Sequence, residues 1–168
     1  MKKIYLSVVC LLISIPLIAQ LYVGPEKEVE CSVFLAKEGR GRAQQGLEVW
    51  DDYIFSCEDG GHVNIYDFKS ADPKPVAGFE LASSHPDNHV NNVCFGVETK
   101  RGASFPLLYI TNGKVGSELE WLCFVESITR RGKRFSSEIV QTIELDGSKW
   151  AEKGYVPIFG APSWLVDR

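Results

Sequence analysis

Short runs of Val, Ile, Phe and Tyr, joined by Gly- and Asp-bearing turns, recur along this chain in groups of four, and that cadence constrains its fold more than any other feature. The first group reads Gly46 to Trp50, Tyr53 to Cys57, His62 to Phe68 and Val76 to Leu81. Asp51-Asp52 and Asp59-Gly60-Gly61 turn the chain between them, and the proline-bearing stretch from Ser70 to Pro75 loops to the last. Residues that tolerate positive φ make Asp59-Gly60-Gly61 a tight hairpin. The second group reads Asn92 to Val97, Phe105 to Thr111, Leu119 to Ile128 and Ser137 to Leu145, with a bend at Asn112-Gly113 and a basic turn before its last member. Pro162 to Asp167 opens a third. After residue 20 no stretch keeps apolar residues at three- and four-residue spacing, so strands are expected throughout.

Leu119 to Ile128 also says how such sheets pack. Leu119, Trp121, Cys123 and Val125 share one face of an extended chain, while Leu122 and Phe124 lie on the other. Apolar side chains on both faces require both faces to be covered, whereas a one-sided sheet alternates more cleanly. Four-stranded units repeating every roughly 40 to 50 residues, covered on both sides, fit the blades of a β-propeller. The expectation is therefore all-β: a partial β-propeller of about two four-stranded antiparallel blades plus the start of a third, where a closed ring needs about 4–8. A β-sandwich, which also uses short antiparallel strands, is the rival architecture, and the approximate repeat favours the propeller.

On Gln45-Gly46-Leu47-Glu48-Val49-Trp50, Tyr53-Ile54-Phe55-Ser56 with Asp59-Gly60-Gly61, Val63-Asn64-Ile65-Tyr66-Asp67 and His89-Val90-Asn91-Asn92-Val93, the chain resembles secreted bacterial β-propeller proteins of the diverged kind that lack a Trp-Asp repeat signature. Trp50-Asp51 falls at a turn and is not that signature. The resemblance covers about residues 45 to 168 and implies fold rather than activity, since propellers serve many unrelated functions. Length departs from the pattern. Residues 45–168 are read as an incomplete propeller domain, the N-terminal fragment of a longer ring. Within the preceding segment 20–44, Val29 to Leu35 is the candidate closing strand.

Residues 1–19 read as a signal peptide. Lys2 and Lys3 form the positive end, Ile4 to Ala19 is apolar apart from Ser7 and Ser14, and Ala19-Gln20 is a cleavage point. The stretch is short for a bilayer span, which takes about 20 residues, and Pro16 disturbs a helix. Cys10 lies too early, and after residues too large, for a lipoprotein site. The protein is expected to be exported, to the periplasm, cell surface or medium, with no membrane span after cleavage. Cleavage removes two of 18 basic residues and none of 22 acidic ones, taking the formal charge from −4 to −6. A nucleic-acid partner, which needs a basic face, is excluded on that balance. Cys31, Cys57, Cys94 and Cys123 remain, in no zinc or CxxC spacing and mostly inside apolar runs. Buried free thiols and one structural bridge both stay open.

The chemistry-bearing residues gather before the second group. His85 and His89 flank Pro86-Asp87-Asn88 and run into Asn91-Asn92 at the mouth of an innermost strand, and His62 follows the 59–61 turn. Imidazole, carboxamide and carboxylate are fair ligands for sugar oxygens or a divalent metal, so His85, His89, Asn91, Asn92 and His62 are the candidate ligand-binding residues, with Asp167 a further member if the third unit reaches them. The same residues also suit an ordinary loop. No cofactor is implied beyond that metal. Arg130-Arg131-Gly132-Lys133-Arg134 is the one concentrated positive run, read as a solvated turn or as a contact for an anionic glycan or membrane surface. Gly39 and Gly41 make no dinucleotide fingerprint, and neither GxSxG nor HExxH occurs. The functional expectation is an exported binding module for a protein or glycan. The alternative is a fragment of a propeller enzyme, a metal- or His-dependent hydrolase, lyase or transferase with its site at the central channel.

Overall fold

The computed structural model describes residues 42–112, 116–145 and 152–153, all within the unit Val33–Arg168. The segment read as a signal peptide, Val29 to Leu35, Gly39, Gly41, Cys10, Cys31 and the stretch read as the start of a third unit, with Asp167, lie outside the described residues. Among those described there are eight strands and no helix, hence none long and apolar enough to cross a membrane. The strands are β1 (Gln44–Trp50), β2 (Tyr53–Glu58), β3 (His62–Asp67), β4 (Ala77–Glu80), β5 (Asn92–Phe95), β6 (Leu108–Thr111), β7 (Leu122–Arg131) and β8 (Arg134–Glu144). They form two four-stranded antiparallel sheets, each in plain meander order, β1-β2-β3-β4 and β5-β6-β7-β8. The all-β reading and the grouping in fours both hold. The sheets remain separate, with no strand of one laddered to the other among the described residues.

The turns explain the order. Asp51 takes φ +49 in the two-residue link between Trp50 and Tyr53, and Gly60 and Gly61 take φ +93 and +97 between β2 and β3. Antiparallel neighbours joined by such short links pair in sequence. Strand ends differ from expectation where a residue cannot join a ladder. Pro106 has no N–H, so β6 starts at Leu108 rather than Phe105. The basic run departs further. β7 continues through Arg130 and Arg131, β8 begins at Arg134, and only Gly132-Lys133 turn. Gly132, at φ +63, occupies the first central position, where a type II′ hairpin wants glycine.

The two sheets pack face to face, β1 against β5 and β4 against β8. Gly46 allows β1 and β5 to close up: a Cβ there would stand 3.0 Å from Val93 Cγ2 and 3.1 Å from the Val90 carbonyl oxygen. Between the sheets lies an aromatic row. The Phe55 ring meets Phe95 and Phe105 edge-on with centroids 5.0 and 5.1 Å apart, and Phe135 stacks on Phe79 at 6.0 Å and on Phe105 at 5.9 Å. Such pairs contribute about 0.5–1.5 kcal/mol each beyond the area they bury. β2 and β3 also bury their other face, through Ile54, Ser56, Asn64 and Tyr66, and every residue from Cys123 to Ile128 on β7 is buried. Two-sided burial was the sequence expectation for Leu119 to Ile128; it holds from Cys123 to Ile128, while β7 starts at Leu122 and leaves Leu119 and Trp121 in the preceding turn.

One carboxylate fastens the connection between the sheets. Glu126 on β7 is fully buried; its Oε1 accepts from the Ser83 N–H and its Oε2 from the Ala82 N–H, both at 2.9 Å. The ladder slips beside it. Val125 faces Gln141 while Glu126 faces Ile139, so Val140 is an extra residue on β8, a bulge.

Candidate functional site

Four pieces of chain meet at the end of the sheets where β2 turns into β3: the start of β1, the 59–61 turn, the start of β3 with the end of β4, and the 81–91 connection. The turn and the connection touch closely. A Cβ on Gly61 would come within 2.8 Å of Ser84 Cα, and the Gly60 N–H donates to the Asn88 carbonyl at 2.7 Å. The fully buried Asn88 braces the connection from inside, its Nδ2 donating to the Ser83 carbonyl at 2.9 Å and its Oδ1 accepting from the Val90 N–H at 3.1 Å. Val90 follows at φ +39, a region a β-branched residue occupies only under strain of about 1–3 kcal/mol. That strain sits between His89 and Asn91, two of the candidate residues.

These elements enclose a cavity of ≈130 Å³ lined by Arg42, Asp59, Gly60, His62, Glu80, Ser84, His85 and Pro86. Ladder register places His62 opposite Glu80, and His62 Nδ1 donates to Glu80 Oε1 at 2.9 Å. An ionised carboxylate only accepts, so the proton of a neutral His62 sits on Nδ1. The Ser84 hydroxyl lies 2.8 Å from the Gly60 carbonyl and 3.2 Å from Glu80 Oε2, and its single proton serves one acceptor at a time. His85 Nδ1 accepts from the Asp87 N–H at 3.1 Å, so a neutral His85 carries its proton on Nε2 as a donor. Arg42 Nη1 reaches the Asp59 carbonyl at 3.4 Å, while the buried Asp59 Oδ1 has no hydrogen-bond partner among the described residues. The lining thus mixes fixed donors and acceptors of both charge signs.

Of the five candidate residues, His62 and His85 share this cavity and the other three do not. His89 turns to β1, where its Nε2 accepts from Gln45 Nε2 at 2.9 Å, and its N–H donates to Asn112 Oδ1 at 2.9 Å. Asn91 and Asn92 lead into β5; the Asn91 N–H donates to the Thr111 carbonyl at 2.9 Å. Among the described residues no three His, Cys, Asp or Glu side chains converge as a metal-binding group. Arg42, Glu80 and Ser84 were not singled out from the sequence. Glu80 meets His62 only through the register set by the 68–76 loop, which no local motif encodes.

Among the described residues of this site no hydroxyl or thiol is paired with an imidazole. Ser84 addresses a carbonyl and a carboxylate instead of an imidazole. The described cysteines are free thiols, and Cys57 and Cys123 are buried. Burial, followed by the nearby Glu126 charge, pushes the Cys57 thiol up to about 12, and burial raises Cys123 as well. A thiol held protonated is a poor nucleophile. No family model matches the chain, and no curated protein matches it either.

Proposed function

We propose that this protein is an exported, non-catalytic binding module of β-propeller type that engages a protein partner at the 59–61 and 81–91 end of its sheets, taking one polar side chain into the His62–His85 cavity. The observation that carries the reading is that cavity's size combined with its lining. At ≈130 Å³ it is well below the roughly 300–1,000 Å³ of small-molecule sites, yet Glu80, Ser84 and His85 are held in place by bonds of their own. A protruding hydroxyl, amide or ammonium group is of the right scale. The propeller part of the reading is supported by the meander order of both sheets and by the stacking of first strand on first strand and fourth on fourth.

The His62–Glu80 pair, at 2.9 Å, favours one competing reading, an imidazole acting as general base in a hydrolase. A single set of variants separates the two. Peptides selected for binding from a displayed random library should lose at least about tenfold in affinity on Ser84→Ala and on His85→Ala, measured by calorimetry. Selected peptides that bind both variants as well as the parent would refute the docking site. Turnover of chromogenic esters or glycosides, abolished by His62→Ala, would replace it with the enzyme.

A further inference from the structure

The basic run of the β7–β8 hairpin belongs to a second cavity at the opposite end of the sheets. This one has a volume of ≈370 Å³ and lies between that hairpin and the 68–76 loop, with Tyr53, Asp67, Asp72, Arg130, Lys133 and Phe135 among its walls. Arg130 is exposed to solvent, yet its head is held in place. Its guanidinium carbon lies 4.9 Å from the centroid of the Tyr53 ring and 5.7 Å from that of Phe135. Nε donates to the Gly132 carbonyl at 2.8 Å, and Nη1 donates to the Tyr53 hydroxyl. A guanidinium has more N–H donors than those two contacts use. No carboxylate forms an ion pair with Arg130 or Lys133 among the described residues. A planar cation fixed in one orientation, with no counter-charge among the described residues, is arranged to receive a carboxylate two-pronged.

The facing loop narrows the ligand further. Asp67 Oδ1 accepts from the Lys69 N–H at 2.9 Å and Asp72 Oδ1 from the Lys74 N–H at 3.0 Å, so both carboxylates are oriented and each has a second oxygen to offer. Those oxygens repel a bare anion and accept from hydroxyls. A ligand satisfying both walls carries one carboxylate and several hydroxyls on a compact frame. We propose that this cavity is a subsite for a hexuronic acid residue of an acidic polysaccharide, with Arg130 gripping its carboxylate, Lys133 adding charge at the rim, and Asp67 and Asp72 taking its hydroxyls. The volume falls within the range of ligand sites that the His62–His85 cavity does not reach. An anionic lipid surface suits the place less well, because it would press phosphates against Asp67 and Asp72 without hydroxyls to offset them.

The test uses the intact protein and a tetramer of galacturonic acid, with its fully methyl-esterified form, inorganic phosphate, and vesicles of phosphatidylcholine with phosphatidylglycerol as comparisons. Nitrogen–proton spectra should show the acid tetramer shifting the Gly132, Lys133, Ser70, Ala71, Asp72 and Lys74 amides, with the ester at least about tenfold weaker. Arg130→Lys keeps the charge but loses the planar fork, and should weaken the acid about tenfold. Lys133→Gln, at an exposed turn, should weaken it about threefold, and it carries the test if Arg130→Lys disturbs the aromatic packing seen in near-ultraviolet circular dichroism. Equal binding of acid and ester, no shift up to about 10 mM acid, or phosphate binding as tightly as the tetramer would each overturn the proposal. Vesicle binding that the tetramer does not compete away would replace the sugar with a membrane surface. The two cavities are separate, so failure here leaves the reading of the other end standing.

Discussion

Glu126 is the residue on which the join between the two sheets turns. Its two oxygens are acceptors for two successive backbone N–H groups, and a buried N–H left without an acceptor costs about 1–3 kcal/mol. Glu126→Ala should therefore lower stability by about 3 kcal/mol, tempered because the Ala82 N–H also lies 2.8 Å from Ser137 Oγ, and Glu126→Gln by about 2 kcal/mol. Urea midpoints read both, and a loss under about 0.5 kcal/mol for the alanine would show that the clamp contributes nothing. The same carboxylate bears on Cys57, whose thiol stands at about 12 in the fold against an ordinary 9.0. The unfolded chain ionises first, so the stability tied to that proton is complete below pH 9.0 and drains away as the pH climbs toward about 12. The slope is about 1.4 kcal/mol per pH unit for one such group. Cys57→Ala should flatten the alkaline decline in urea midpoints between about pH 8 and pH 10.5 relative to the parent, while Cys123, raised in the same direction, keeps part of it in both proteins.

At the scale of elements, the turns carry the greater risk. Gly61→Ala would force a side chain into φ +97 and within 2.8 Å of Ser84 Cα, which should cost about 3 kcal/mol and lower the Tm by about 10 °C in a calorimetric scan. A shift under about 2 °C would show that the connection yields freely. Here too lies the measure of what the chain discloses on reading. All eight strands and their order follow from alternation and turn residues, because hairpins pair neighbours and Asp59-Gly60-Gly61 or Asn112-Gly113 mark where the chain must reverse. Charge shows the β7–β8 hairpin as solvated but not how its cation is held. Arg130 looks like turn material by composition, yet strand geometry lets its flat head lie on Phe135, its partner across the hairpin, and on Tyr53, a residue far away in sequence. The bulge at Val140 and the meeting of His62 with Glu80 are equally hidden, since each depends on a register fixed across a loop. Of the candidate residues, the Gly-Gly-His62 turn and His85 could be seen to lie at one end of the sheets; Arg42, Glu80 and Ser84 had no periodicity or motif to announce them.

Taken whole, the two sheets share a single interior. Phe105, in the link between β5 and β6, touches Tyr53 and Phe55 of the first sheet as well as Phe95 and Phe135 of the second. Phe105→Ala should cost about 3–5 kcal/mol, and protection of β2 and β3 amides should fall together with that of β6 and β7 in native-state hydrogen exchange. Loss confined to the second sheet would mean that the sheets open independently. The bulge in β8 has a wider consequence. β8 runs for eleven residues, is exposed along most of them, and ladders only to β7 among the described residues. A foreign strand could zip along such a border without end, stacking molecule on molecule. One surplus valine puts the peptide groups on either side of it out of step, so a stranger's backbone finds matching partners for only part of the way, and the border resists fibre growth by rhythm rather than by repulsion.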